Sequence, residues 1–302
     1  MIFVNSRTPF IFALTAAAGL CFGRAAHAEN LFIWPDLAPG ETARDVGENQ
    51  PPKAGENPPI TRTINIRRPS MDVFLAPEDK SNGTAILVLP GGGFGKVVPD
   101  MEGSEAAPWL AEMGISTFVL RYRTSEAAAE GEPLWKRPLQ DAQRALRLIR
   151  ANADKWKIAP DRIGVLAFSA GGQVGAILHA RGATADYKAK DEIDKQSSQA
   201  DFSLLIYPWN VTSAATGKLL PEINYNPETK PAFIVHTHDD RSTSLGSVLI
   251  YLDLKANKVP AELHVYENGG HGYGMRSREN SFIGTWPDRA GDWLKLRGLG
   301  SK

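Results

Sequence analysis

The stretch around Ser169 constrains the fold of this chain more than any other part of the sequence. Residues 163–168 (Ile-Gly-Val-Leu-Ala-Phe) form an apolar run typical of a buried strand, and a helical segment, residues 173–179, follows shortly after Ser169. A strand, a sharp turn at a serine and a helix are the layout of a nucleophile elbow. The turn leaves room only for small residues two positions before and after the serine, here Ala167 and Gly171. The common pattern has glycine at the first of these positions. The alternative is an ordinary Ser/Gly turn at the end of a strand. The choice between the two interpretations depends on motifs elsewhere in the chain.

Short apolar runs alternate with helical patterns through most of the chain. Nearly continuous apolar runs are typical of strands covered on both faces, as in a parallel sheet. The runs are residues 85–89, 117–120, 163–168, 202–207 and 233–235, with 263–266 as a further strand, and helical patterns lie at 103–113, after Pro138, at 244–256 and at 287–297. This alternation, from residue 84 onwards, predicts one doubly wound α/β domain with a mostly parallel sheet and helices on both faces.

The sequence before this domain predicts two further segments. Residues 29–60 are rich in Pro, Gly and charge, so we expect an extended N-terminal arm over the surface, followed by a catalytic domain at 61–302. Residues 60–66 and 71–75 alternate enough to predict a pair of antiparallel strands joined by a turn at residues 68–70.

Two segments within the domain also carry specific expectations. In the helix after Pro138 the apolar residues share one face, and Arg144, Arg147 and Arg150 on the other face are interpreted as a solvated stripe. Residues 209–230 lack periodicity and follow a strand end, where such excursions often cover the site of a parallel sheet.

The first 28 residues predict a secretory signal peptide. Arg7 precedes an apolar run at residues 8–22, and Ala26-His27-Ala28 ends the segment, as expected for cleavage after Ala28. The only cysteine, Cys21, lies inside this segment, so the mature chain would have no disulfide, which favours a bacterial periplasmic or secreted protein. A formal net charge of zero argues against nucleic acid or an anionic membrane as a partner.

A glycine-rich loop follows the first strong strand. In Leu-Pro-Gly-Gly-Gly-Phe, residues 89–94, the glycines let backbone N–H groups approach a substrate oxygen without interference from a Cβ. A phosphate-binding loop is the competing interpretation, but the dinucleotide spacing and a following Gly-Lys-Ser/Thr are both missing. The loop therefore predicts an oxyanion hole formed by the N–H groups of Gly92 and Gly93 with that of Ala170, the residue after the serine.

The candidate carboxylates and the candidate histidine come after Ser169 in the sequence. His271 lies in Gly-Gly-His-Gly-Tyr-Gly, residues 269–274, just after the last strand, and Asp239 and Asp240 end the preceding apolar run. The chain order Ser169, Asp239 or Asp240, His271 is the order expected for α/β-hydrolases.

The other histidines are interpreted differently. His179 in a helix and His264 in a strand are expected to be structural. His236 and His238 end a strand and could belong to a site, although a structural hydrogen bond is the favoured interpretation.

With these motifs the sequence resembles the α/β-hydrolase superfamily, specifically the secreted acetyl xylan and feruloyl esterase-like group related to hormone-sensitive lipases. The resemblance runs from about Gly83 to Gly298. The matching motifs are Pro90-Gly-Gly-Gly-Phe94, Glu102-Gly103, Leu120-Arg-Tyr-Arg123, Pro138-Leu-Gln-Asp141, Phe168-Ser-Ala-Gly-Gly172, Gly269-Gly-His-Gly-Tyr-Gly274, and Trp286-Pro with Trp293-Leu294.

The resemblance implies a choice between the two carboxylates. Family members usually place the acid four residues after the histidine that ends its strand, which from His236 gives Asp240 rather than Asp239. The family commonly follows the acid with Pro-Val-Val-Pro. Residues 241–244 are Arg-Ser-Thr-Ser instead, so we expect the rim of this site to differ.

The resemblance also implies the chemistry. We expect Ser169, His271 and Asp240 to hydrolyse carboxylic esters of carbohydrates such as acetylated xylan or its oligomers, with acetyl esters cleaved faster than long acyl chains. We expect no metal and no organic cofactor. A prolyl-oligopeptidase-type peptidase and a non-catalytic carbohydrate- or envelope-binding protein on a hydrolase scaffold are the alternatives.

Overall fold

The fold is seen in a computed structural model that describes Met1 and residues 29–301. Apart from Met1, the predicted signal peptide, with Cys21, lies outside the described residues. The strands are β1 (Glu29–Phe32), β2 (Val46–Asn49), β3 (Thr63–Ile66), β4 (Ser70–Phe74), β5 (Ala85–Leu89), β6 (Ser116–Arg121), β7 (Ile163–Phe168), β8 (Ser203–Ile206), β9 (Ala232–Thr237) and β10 (Ala261–Tyr266). The helices are α1 (Ala106–Glu112), α2 (Lys136–Ala151), α3 (Ser169–Arg181), α4 (Leu245–Ala256) and α5 (Trp286–Leu296).

A mostly parallel eight-stranded sheet forms the centre of the molecule. Its strand order is β1-β4-β6-β5-β7-β8-β9-β10, and only the two pairs that involve β4 are antiparallel. The predicted doubly wound α/β fold is confirmed. Strands β5 and β7 begin and end at the residues predicted from the sequence, because both are apolar throughout and buried on both faces.

Helices cover both faces of the sheet. Alternate residues of β5 point to opposite faces, so Leu87 packs in the cluster with α2, α3 and α4, while Val88 packs in the cluster with α1 and α5. Among the described residues no helix has the length and apolar character needed to cross a bilayer.

The predicted pairing of the strands before residue 76 is wrong. Strand β3 pairs with β2 in a separate two-stranded sheet, whereas β4 lies between β1 and β6 in the central sheet. The N–H groups of Arg67 and Arg68 both donate to the carbonyl of Asp45, so the segment between β3 and β4 contacts the β2 side instead of closing a hairpin.

The predicted surface arm is wrong for its first residues. Strand β1 adds to the edge of the central sheet, and Ile33 and Trp34 are buried in its core. The indole N–H of Trp34 donates to Asp141 on α2 over 2.9 Å. Most residues between 42 and 60 are exposed.

The interpretation of Arg144, Arg147 and Arg150 as a solvated stripe is also wrong. Arg144 is 1% exposed, and its guanidinium contacts Asp191 at 2.7 Å and Asp194 at 2.9 Å. Arg147 is buried against Asp194, and Arg150 pairs with Asp201 at 3.2 Å. The segment after α3 brings these carboxylates over α2, so the arginines are covered and paired.

Candidate active site

Ser169 lies at the sharp turn between β7 and α3. Its φ is 53°, in the left-handed region that a serine seldom adopts. A Cβ at Gly171 would clash with the carbonyls of Leu89 and Pro90, and one at Gly175 would clash with Ala167. These close approaches explain why small residues flank the serine, as the elbow pattern predicted.

Two further side chains extend a hydrogen-bond chain from Ser169. The serine Oγ is 2.7 Å from Nε2 of His271, and Nδ1 of His271 is 2.6 Å from Oδ2 of Asp240. A carboxylate accepts but does not donate, so Nδ1 carries the proton and Nε2 accepts from the serine hydroxyl. The structure thus brings together the three residues that the sequence singled out, from loops after β7, β9 and β10.

Asp240 also contacts two residues outside this chain of hydrogen bonds. Its Oδ2 lies 3.0 Å from Nε2 of His236, and its Oδ1 accepts from the N–H and hydroxyl of Ser242 at 2.7 and 2.8 Å. Burial raises the pKa of Asp240, but the hydrogen bonds from His236, His271 and Ser242 outweigh it and hold the pKa of this carboxyl well below its usual range. Asp240 therefore stays a charged acceptor beside the imidazole of His271.

His236 is thus a neighbour of the candidate site. The sequence analysis placed His236 at the end of a strand and favoured a structural hydrogen bond as its role. The spacing of four residues to Asp240 was visible, but only the turn after β9 shows that the two side chains meet.

Asp239 points elsewhere. Its carboxylate accepts from the N–H groups of Gly270 at 2.9 Å and Gly269 at 3.2 Å. These backbone donors, that of Gly270 above all, hold the pKa of Asp239 below its usual value. Asp239 therefore holds the loop that carries His271, whereas Asp240 contacts the imidazole.

The glycine-rich loop lies beside Ser169. Gly92 and Gly93 have φ values of 131° and 65°, which favour glycine, and Gly93 borders the same cleft as Ser169 and His271. Within the described part of the chain, the N–H groups of Gly92 and Gly93 donate to no acceptor. Ala170 is the second residue of α3, where a backbone N–H has no partner inside the helix. All three predicted oxyanion donors are thus available for a ligand.

A buried glutamate supports this loop from below. Glu102, 3% exposed, accepts from the N–H of Gly91 at 2.9 Å and from the hydroxyl of Tyr207 at 2.8 Å. The Tyr207 hydroxyl in turn accepts from the N–H of Gly274, and its ring lies 4.9 Å from the ring of His271. Burial raises the pKa of the Glu102 carboxyl, against the lowering effect of the Tyr207 hydroxyl. The sequence showed the Glu102-Gly103 motif without indicating this role.

The comparisons with known proteins fit this geometry. Residues 71–212 match the BD-FAE family model. A crystal structure of an acetyl ester-xyloside bifunctional hydrolase from Caldicellulosiruptor lactoaceticus is 27% identical, with a TM-score of 0.71, over 92% of this chain and 99% of that one. MGS-M1, an α/β hydrolase from a Medee basin deep-sea metagenome library, is 24% identical with a TM-score of 0.62, over 89% and 96% of the two chains. The chain has the α/β-hydrolase fold.

A curated relative of this chain is longer. The acetylxylan esterase of Xylanibacter ruminicola is 26% identical over 77% of this chain, and the match covers 50% of that protein. The chain thus spans about half the length of this relative.

The cleft above Ser169 is the cavity that contains the three candidate residues. It has a volume of about 440 Å³, and besides the three hydrogen-bonded residues it is lined by Gly93, Trp209, Arg241 and Ser242. Trp209 begins the excursion at 209–230, and its N–H donates to the carbonyl of Ser169 at 2.9 Å. A larger cavity of about 640 Å³ lies between β2, β3 and Thr124 and contains none of the three.

The cleft has a defined chemical character. Within residues 29–301 no group of three or more His, Cys, Asp or Glu side chains is arranged to hold a metal ion. A serine hydroxyl bonded to an imidazole that is itself held by a carboxylate is the arrangement that activates serine as a nucleophile.

Proposed function

We propose that this α/β-hydrolase is a serine esterase that removes acyl groups, acetyl among them, from carbohydrate esters such as acetylated xylan or its oligomers. The observation that carries the proposal is the hydrogen-bond chain from Ser169 through His271 to Asp240, at 2.7 and 2.6 Å. The substrate class is suggested by two similar proteins, an acetylxylan esterase and an acetyl ester-xyloside hydrolase.

The mechanism follows from the positions of the three side chains. His271 takes the proton of the Ser169 hydroxyl through Nε2 as the serine Oγ attacks the ester carbonyl. The charged Asp240 keeps the other imidazole proton on Nδ1 and stabilises the imidazolium that forms. The N–H groups of Gly92, Gly93 and Ala170 hold the negative oxygen of the tetrahedral intermediate.

The intermediate then collapses. The bond to the sugar oxygen breaks, His271 donates its Nε2 proton to that oxygen, and the alcohol leaves. Water enters, loses a proton to His271 and attacks the acyl-serine, which releases the carboxylic acid and restores the serine hydroxyl.

We also propose that the protein is exported, with cleavage after Ala28. Export would bring the enzyme to polymers that cannot enter a cell. Expression of the full chain in a bacterial host, followed by N-terminal sequencing of the secreted or periplasmic product, tests this proposal, and a product that begins at Met1 contradicts it.

The activity is tested with the same purified product. We expect release of acetate from acetylated xylo-oligosaccharides and hydrolysis of p-nitrophenyl acetate. Ser169→Ala should reduce kcat by at least about 10⁴-fold, whereas Ser197→Ala, at an exposed serine, should leave kcat near the parental value. Near-parental turnover by a folded Ser169→Ala protein contradicts the proposal.

A further inference from the structure

A second cavity shares one lining residue, Trp209, with the cleft. This side pocket has a volume of about 240 Å³. Its wall is mostly apolar and includes Phe94, Leu134, Trp135, Gln173, Trp209 and Leu220. The rings of Phe94 and Trp209 stand 6.3 Å apart at 49°.

The side pocket is next to the reacting atoms. Gln173 lies four residues after Ser169 on α3, which is about one helical turn, or ~5.4 Å along the axis. Phe94 directly follows Gly93, and Trp209 borders both the cleft and the side pocket. A group bonded to the carbonyl that Ser169 attacks can therefore reach the side pocket.

The chemistry of ester hydrolysis assigns the two cavities to different parts of a substrate. His271 must protonate the leaving oxygen, so the alcohol lies on the side of the imidazole. That side is the cleft, which contains His271, Arg241 and Ser242. The side pocket contains none of them, and its lining includes Phe94, which follows the glycine-rich loop, and Gln173 of α3. The acyl substituent points away from the leaving alcohol, and hence towards the side pocket.

We propose that the side pocket is the acyl-binding site and that it accepts apolar acyl groups longer than acetyl. This inference rests on the proposed esterase function and specifies its acyl side. A cavity of 240 Å³ is several times larger than a methyl group needs, given that one water occupies about 30 Å³ of liquid. Acyl groups of about four to six carbons fill it, and each methylene removed from water against its apolar wall favours binding by about three- to fourfold.

The side chain of Gln173 fixes one wall of the side pocket. Its Nε2 donates to the carbonyl of Asn210 at 2.8 Å, which ties α3 to the segment after β8. The wall therefore does not depend on substrate to form. Leu220 and Trp135 are half-buried at its border, so changes there alter the volume of the pocket without reaching Ser169.

The test is a series of p-nitrophenyl esters with one leaving group, from acetate through butyrate and hexanoate to decanoate. We expect kcat/KM for butyrate to exceed that for acetate by about tenfold, from two additional buried methylenes, and to fall at decanoate. Leu220→Trp fills the pocket, so the butyrate-to-acetate ratio should drop to about one. Trp135→Ala enlarges it, so the decanoate-to-hexanoate ratio should rise.

Arg241→Ala is the matched control, since Arg241 lines only the cleft, and it should leave the chain-length ratios unchanged. Thermal unfolding of each variant confirms folding. A butyrate-to-acetate ratio below one in the parental protein overturns the inference, as does a ratio that Leu220→Trp and Trp135→Ala leave unchanged.

A separate measurement distinguishes failure of the esterase proposal from failure of the pocket proposal. If no ester is hydrolysed, calorimetry with the Ser169→Ala protein and p-nitrophenyl hexanoate decides about the pocket alone. Binding that Leu220→Trp weakens by about tenfold supports the pocket, and equal or absent binding overturns it.

Discussion

His236 donates from Nε2 to Oδ2 of Asp240 over 3.0 Å, and this is the same oxygen that accepts from His271 at 2.6 Å. Nδ1 of His236 lies 2.8 Å from the hydroxyl of Ser247, and His236 is fully buried. Since Asp240 accepts the Nε2 proton of His236, Nδ1 of the neutral imidazole is the nitrogen that accepts from the Ser247 hydroxyl. Two imidazoles therefore hold one carboxylate oxygen, and we expect His236 to position Asp240.

Replacement of His236 tests this relationship. His236→Phe removes a donor to a charged acceptor, and we expect kcat to fall about 10- to 100-fold. The pKa of Asp240 should rise, because its carboxylate loses a hydrogen bond that favours the charged form, and the free energy of unfolding should therefore fall by less as the pH falls below about 5. His236→Gln, which keeps a donor, should restore part of kcat. His238→Phe is the control at an exposed histidine of the same strand end, and equal effects of His236→Phe and His238→Phe would contradict the assignment.

Asp240 and Asp239 should differ in their importance for turnover. Asp240→Asn leaves no carboxylate to hold the proton on Nδ1 of His271, and in serine proteases the equivalent change lowers kcat by about 10⁴-fold. We expect a large loss of this kind, partly reduced because Ser242 Oγ lies 3.2 Å from Nδ1. Asp239→Asn weakens only the contacts to Gly269 and Gly270, so its effect should be much smaller. Circular dichroism first shows that both variants are folded, and kcat is then measured for each. A greater loss of kcat for Asp239→Asn would contradict the assignment of Asp240.

Glu102 should matter for catalysis although it lies below the cleft. Glutamine has a single acceptor oxygen, so Glu102→Gln leaves either the N–H of Gly91 or the hydroxyl of Tyr207 without its partner. We expect kcat for p-nitrophenyl acetate to fall about tenfold or more, with KM less affected. Glu105→Gln is the control. Glu105 lies three residues after Glu102, and its substitution removes an ion pair with Arg276 but should change kcat little. Equal kcat values for the two variants would show that Glu102 does not support the glycine-rich loop.

The lowered pKa of Asp240 predicts how stability depends on pH. An unfolded aspartate titrates near pH 4, at about 3.9, and the folded Asp240 carboxyl titrates lower. Between the two values the unfolded chain binds more protons, so the free energy of unfolding falls as the pH falls. The contribution is complete above about pH 5 and is lost progressively below about pH 4. Urea unfolding of the parental protein and Asp240→Asn should show a stability difference that narrows as the pH falls through this range, and a constant or widening difference would contradict it.

The buried Arg144 predicts a large effect on stability without a direct effect on the cleft. Arg144→Leu leaves Asp191 without its buried partner and leaves Asp194 with Arg147 as its remaining arginine, and we expect a loss of about 3–5 kcal/mol in the free energy of unfolding. Arg289→Leu removes an exposed pair with Asp292 and should cost less than about 1 kcal/mol. Urea titration measures both, and similar losses would indicate that Arg144 is not held as described.

Much of the fold and of the candidate site could be predicted from local patterns. Strands β5 and β7 are apolar throughout, so their bounds followed from the sequence alone. The turn at Ser169 could be predicted from the small residues beside it. They are small because the end of β5 lies against the turn and leaves no room for larger side chains. Helix α3 begins at Ser169, four residues before the predicted segment, because its first turn consists of small residues that carry no apolar period.

Other features depended on residues far apart in the chain. The pairing of β4 was mispredicted because its partners, β1 and β6, lie about 40 residues before it and nearly 50 after it. The covering of Arg144 depends on Asp191, 47 residues away, and α2 alone gives no sign of it. Glu102 is 105 residues from Tyr207, so its place under the glycine-rich loop could not be found from spacing.

Local patterns were enough to predict the α/β architecture, the turn at Ser169 and the order of serine, aspartate and histidine, because each depends on residues next to one another along a strand or turn. From the residues alone, Asp239 and Asp240 could not be told apart. The three-dimensional structure shows that Asp240 contacts His271 and that His236 contacts the same carboxylate oxygen. It also showed a side pocket that shares Trp209 with the cleft but is not lined by His271. Packing between segments distant in sequence sets the direction of a side chain in a turn. It also brings separate loops together at one edge of the sheet, so neither feature can be predicted from a local pattern.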